Sequence, residues 1–186
     1  MPDSHDSLLD PLLGAILDSW DRNNTILTNL LRLIPQNLMD LRGTDSSHSI
    51  AQLFTHMHYC RLVSVFEDAP EIVPVEPTGE YAVEPDRERL IQKLNESAVA
   101  VREAVRTRLA SGRAMDRHYD HPILLLQHFI WHEGYHHGQI KLVLKQNGHA
   151  LDDELTGDVT WDIWMDKAAD RARNSGARRA APVQQA

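Results

Sequence analysis

The stretch from His128 to Gln139, HFIWHEGYHHGQ, constrains the fold of this chain more than any other. It sets His128, His132 and His136 at four-residue intervals. On a helix such residues share one face, about a turn apart. The residues leading into it, Ile123 to Leu126, are all apolar, so the column enters a packed interior. A buried imidazole is costly unless something satisfies it. Two imidazoles at this spacing are also what a divalent transition metal takes from a single helix. Either way, facing helices must supply the partners.

Periodicity predicts those helices. The first runs from about Leu8 to Ile34, with Leu12, Ile16, Trp20, Leu27, Leu30 and Leu31 on its apolar side, and Pro35 limits it. The second begins at Ser49, where Ser49 and Gln52 fit a capping box, and continues to about Asp68. Pro70, Pro74, Pro77, Gly79 and Pro85 then punctuate a long extended connection. A third helix is expected from near Asp86 to Ser111 with Gly112 as its stop, and a fourth from about Pro122 to Asn147-Gly148. After a polar loop, Trp161, Trp164, Met165 and Ala168 point to a short fifth helix. No segment alternates as strands do. The class is therefore all-α: an up-down four-helix bundle with a long connection between helices 2 and 3 and a short C-terminal helix. Residues 1–172 are expected to form one domain and 173–186 a flexible polar tail.

At 186 residues the chain can bury a core of its own. A net charge of −8 argues against nucleic acid as a partner, and the basic run Arg171 to Arg179 reads as a solvated end. The single cysteine, Cys60, excludes an internal disulfide and suits a reducing compartment. The acidic start MPDSHDSLLD does not read as a signal peptide, and no apolar run approaches a membrane span. A cytoplasmic protein without membrane contact is the expectation.

With eleven histidines in the chain, about one i,i+4 pair arises by chance, so position matters more than spacing. On a helical wheel His136 lies near the centre of the arc made by Leu125, Phe129, Ile140 and Val143, His132 slightly to one side, and His128 at the edge. The bland alternative for all three is a hydrogen-bonded histidine of core or rim. A zinc site needs at least one more protein ligand. The second helix offers His56 and His58 on opposite flanks of its apolar stripe, and periodicity does not choose between them. Cys60 lies one turn from His56 on the same flank. Adding it to His56, His132 and His136 would make a closed, structural set, whereas three histidines alone leave a coordination position open.

SIAQLFTHMHYCR in the second helix and WHEGYHHGQI downstream resemble the DinB-like metalloproteins of the DinB/YfiT superfamily. That group has an initial Ser-ϕ-x-x-Leu-ϕ-x-His helix and a later His-x-x-x-His-x-Gly-Gln-ϕ helix, ϕ being apolar. The resemblance spans about residues 8–150. It implies that His56, His132 and His136 are the metal ligands, and it leaves His58, His128 and His137 unassigned. His137 stands where many relatives carry Arg, a departure that bears on the charge of the site. The resemblance further implies a four-helix bundle, usually a homodimer, binding zinc or nickel. Characterised relatives include thiol-dependent S-transferases and a mycothiol-dependent maleylpyruvate isomerase. It implies no polymerase activity.

The chemistry so implied is activation of a low-molecular-weight thiol for attack on an electrophile. A metal-bound thiol loses its proton easily, and thiolate is the nucleophile. Metal-activated water would make a hydrolase instead, with Glu133 as the nearest carboxylate for a general base. On the wheel Glu133 sits towards the apolar arc, and against the general-base role it reads as a rim carboxylate paired with an arginine. A non-catalytic, stress-associated metal-binding bundle is the remaining alternative. Gln139 is a candidate acceptor for the second N–H of a ligating histidine, or else, with Gly138, part of a close helix contact. Trp161 and Trp164 could line a substrate mouth or a dimer seam, or serve as docking anchors.

Overall fold

The computed structural model describes residues 6–167, with side chains from residue 11 onward. The expected tail 173–186, the last residues of the 1–172 domain and Ala168 lie outside this range. Four long helices, α1 (Asp6–Leu33), α2 (Ile50–Asp68), α3 (Arg87–Ala110) and α4 (Pro122–Gln146), form the predicted bundle, with a short α5 (Asp153–Val159) after them. Among the described residues there is no named strand, and no helix is long and apolar enough to cross a membrane.

The helix ends follow local chemistry. Ser49 Oγ accepts from the Gln52 backbone N–H at 3.3 Å while Gln52 Oε1 accepts from the Ser49 N–H at 3.0 Å, a complete capping box. Asp86 caps α3 by accepting from the N–H groups of Glu88 and Arg89. Gly148 takes φ 79° just past α4, the left-handed turn that favours glycine there.

Strict up-down alternation is not what the chain does. Gln36, just past α1, donates to the Pro85 carbonyl, which places the start of α3 beside the end of α1 and the start of α2. Asp68, ending α2, accepts from the N–H groups of Arg117 and His118, just past α3. Helices α2 and α3 therefore run in the same direction, and the order is up-down-down-up. The 19 residues of α2 span about 28 Å at ~1.5 Å per residue. The extended connection at 69–86 has ample reach to return along that length.

The C-terminal region also differs from expectation. The short helix lies at 153–159, upstream of the tryptophans, and Trp161–Trp164 form a single 3-10 turn. Asp152 caps α5 through the Leu155 N–H at 2.8 Å, and Asp153 and Glu154 occupy its first turn, where acidic groups favour a helix start. The unit docks on α1 through buried Ile163 and through Asn29 Nδ2, which donates to the Val159 carbonyl at 2.7 Å.

The core has two apolar parts. One is built from Leu27, Leu30, Phe54, Met57, Leu94 and Ile140 among others, the second from Leu17, Trp20, Val65, Val101, Leu125 and Phe129. Between them every long helix contributes a polar residue. Arg61 of α2 and Glu133 of α4 form a two-pronged ion pair, Nε to Oε1 at 2.5 Å and Nη2 to Oε2 at 2.8 Å, with both side chains 0% exposed. Asn23 of α1 also donates to Glu133, and Arg61 Nη1 donates to Asn24 Oδ1 and to the Leu94 carbonyl of α3. The Arg61 guanidinium lies 4.7 Å over the ring of Trp20, whose Nε1 donates to the Ala98 carbonyl at 2.9 Å. Removing one partner of such a pair leaves a buried charge unmatched, at a cost of about 3–5 kcal/mol, whereas replacing both by apolar groups is often neutral. Glu133→Ala should therefore lower the urea unfolding midpoint strongly, and Arg61→Met combined with Glu133→Leu should restore most of it. A Glu133→Ala protein with an unchanged midpoint would contradict this account of the core.

Candidate metal centre

Helices α2 and α4 bring His56, His132 and His136 together at the level of the polar layer. The His56 ring centre lies 5.3 Å from that of His132 and 4.8 Å from that of His136. His132 Nε2 and His136 Nε2 stand 3.1 Å apart. Two nitrogens on one tetrahedral zinc, each at ~2.0–2.1 Å from it, would be about 3.3 Å apart. The α4 pair is thus spaced for one ion.

Outer hydrogen bonds orient the rings. Gln139 Nε2 donates to the Tyr135 hydroxyl at 2.8 Å, so its Oε1 is the atom that accepts from His136 Nδ1–H at 2.7 Å. The Nε2 lone pair of His136 then faces the cluster. His56 Nδ1 lies 2.9 Å from Glu80 Oε1, a residue of the α2–α3 connection. His132 Nδ1 is buried with no hydrogen-bond partner among the described residues. Burial lowers the pKa of all three rings. For His132 the nearby His136, His56 and His128 add to it, taking the value down to about 4. Burial lowers His136 and His56 too, opposed by Gln139 in one case and Glu80 in the other. Neutral imidazoles are the form that binds metal.

Cys60 adjoins this group. Its Sγ lies 3.6 Å from both ring nitrogens of His56. The donor atoms of His56, Cys60 and His132 all fall within 4.8 Å of one another, so this set could hold a metal ion. Burial, with the charges of Glu80 and Glu133, pushes the Cys60 thiol up to about 12. Without an ion it is a protonated thiol.

The other candidates part from the cluster. His58 Nδ1 pairs with the Lys93 carbonyl of α3 at 2.8 Å, on the far flank of α2. His128 is exposed and pairs with the Tyr119 hydroxyl at 2.7 Å. His137 turns to the α1 side of α4, where it lines a recess of about 250 Å³ with Asn23, Ile130, Trp161 and Trp164. The two tryptophans thus line a recess on the α1 side of α4, away from the α2 side that carries the cluster. They remain 43% and 41% exposed, and buried Ile163 does the anchoring. Glu133 does pair with an arginine, but in the core rather than at the rim. Gly138 is exposed with open space where a Cβ would stand, so close helix packing does not explain it.

Sequence reasoning missed Glu80 and Tyr81. Tyr81 stacks between His48 and His56, with ring centres 3.5 Å and 4.7 Å away. Neither residue carries a periodic signal, because both sit in the proline-punctuated connection.

The fold is an all-α bundle with a histidine cluster between two of its helices, a place where bundles commonly build metal sites. The sequence model of the DinB family matches residues 1–171, and the chain belongs to that family. No curated protein and no solved structure matches it.

The depressed pKa of His132 has a consequence for the metal-free protein. Between about 4 and its ordinary 6.5, the unfolded chain binds a proton that the folded chain refuses. Stability from neutral His132 is therefore complete above that window and lost as pH falls through it. Unfolding midpoints measured from pH 7 to pH 4 should fall for the metal-free protein. The fall should be shallower in His132→Asn.

Proposed function

We propose that this protein binds one divalent transition metal through His56, His132 and His136, and that it is a transferase activating a low-molecular-weight thiol for attack on an electrophile. The observation that carries the reading is the convergence of three neutral imidazoles from two helices, two of them held by outer acceptors on their far nitrogens. Zinc suits three imidazoles best here, with nickel as the alternative. A divalent ion held by these neutral imidazoles would keep its charge and would supply the positive field that favours loss of the proton from a thiol at neutral pH. His132 and His136 provide the paired nitrogens, His56 closes the set from α2, and Gln139 keeps His136 in the ligating tautomer.

The hydrolase alternative loses its general base, because both Glu133 oxygens are engaged by Arg61 and Asn23. A non-catalytic bundle with a closed site is the second reading, and the position of Cys60 favours it. Elemental analysis of protein purified without a nickel column separates the two. His136→Ala should abolish a metal content near one per chain. Cys60→Ala should retain the metal if the transferase reading is right, and lose it if the site is closed and structural. Consumption of thiol by the loaded protein with a panel of electrophiles then tests the reaction itself.

A homodimer is part of this proposal. Trp131, Tyr135 and Leu142 are 73%, 56% and 54% exposed along α4, with Gly134 and Gly138 leaving the backbone between them bare. Large exposed aromatics on one helix face are characteristic of interfaces. Trp131→Glu should shift the protein to monomer in sedimentation velocity without lowering its helix content.

A further inference from the structure

We propose that Glu80, carried on the connection between α2 and α3, is a positioning residue for the metal centre: its carboxylate accepts the Nδ1 hydrogen of His56 and so presents the Nε2 of that ring to the ion. The inference rests on the metal-binding reading above.

The three rings have three different outer environments. His136 is held by a neutral amide of its own helix, His132 Nδ1 has no partner among the described residues, and only His56 meets a carboxylate, at 2.9 Å. A carboxylate on the far nitrogen fixes the tautomer and ring angle of a ligating histidine and raises its basicity. Glu80 is 44% exposed and would wander if nothing fixed it. Its neighbour Tyr81 does so. The Tyr81 ring is nearly parallel to both its neighbours, at 4° to His48 and 1° to His56. Its carbonyl accepts from Gln52 Nε2 at 3.0 Å. Gln52 is itself held by the capping box with Ser49. An unbroken run of contacts thus leads from the α2 cap through Gln52 and Tyr81 to Glu80 and His56. The connection thereby becomes part of the centre, although the bundle supplies every proposed ligand.

The test is zinc affinity, measured by competition with a chromophoric chelator, in the wild type and in Glu80→Ala, Glu80→Gln and His136→Ala. Glu80→Ala should weaken zinc by about 10- to 100-fold, the usual effect of losing such a partner, at unchanged stoichiometry. Glu80→Gln should lose less, because its carbonyl oxygen accepts the same hydrogen. Long-range proton–nitrogen spectra of the zinc-loaded proteins should show the His56 Nδ1 proton shifted downfield and slow to exchange in the wild type and in Glu80→Gln, and exchanging fast without that shift in Glu80→Ala. The metal-free unfolding midpoint should not move, which separates positioning from folding. Unchanged zinc affinity in Glu80→Ala overturns the proposal and leaves the metal site standing. Loss of zinc as complete as in His136→Ala also overturns it, since Glu80 would then be a ligand. A wild type that binds no zinc overturns both.

Discussion

The Arg61–Glu133 ion pair is the contact on which the rest of the structure depends. It joins α2 to α4, the same two helices that carry the histidine cluster, and at adjoining positions. Arg61 follows Cys60, and Glu133 follows His132. Neighbouring residues on a helix point about 100° apart, so Glu133 can turn into the bundle while His132 turns toward α2. The two-pronged geometry fixes the rotation of α4 and its height against α2 together. That alignment brings His56 level with His132 and His136. Rigid elements thus hold the three rings in place, as the proposed metal centre would need from its scaffold.

The same layer divides the apolar core. Helices could slide or rotate against one another where both sides offer only aliphatic surface. Here a one-turn slip would separate Arg61 from Glu133, Asn24 and the Leu94 carbonyl at once. Polar layers of this kind add little net stability, but they make wrong registers costly. The crossover between α2 and α3 works to the same end. By returning along the bundle it puts the Glu80–Tyr81 segment over His56, where a short hairpin turn could not reach.

How much of this could be read in the sequence depended on whether the signal was local. The limits of the four long helices, the Ser49–Gln52 cap and the stop at Gly148 are short-range chemistry, and the structure reproduces them. The wheel ranked His136, His132 and His128 by depth, and their burial follows that order. The choice between His56 and His58 was not local, since the two sit on opposite flanks of one stripe. The structure turns His58 to α3, where its Nδ1 meets the Lys93 carbonyl, and leaves His56 beside His132 and His136. The wheel turned Glu133 towards the apolar arc, but a rim position was still the natural one for an acid whose arginine lies 72 positions away in the chain. The direction of α3, and with it the placing of Glu80, depended on where a long connection ends. Helix α5 escaped a search for apolar periodicity, although the acidic start at Asp152–Glu154 was there to be read.

The stacking of Arg61 on Trp20 also gives the protein an optical reporter of its own. Of its four tryptophans only Trp20 is fully enclosed, while Trp131, Trp161 and Trp164 face solvent to differing degrees. An indole enclosed away from water, as Trp20 is, emits at shorter wavelength than a hydrated one. It is also sensitive to any shift of the charge above it. The blue edge of the fluorescence therefore belongs to the central layer, and the red edge to the outer faces of α4 and the C-terminal turn. Events at the middle of the bundle and at its surface can be followed separately, in one sample and without a label.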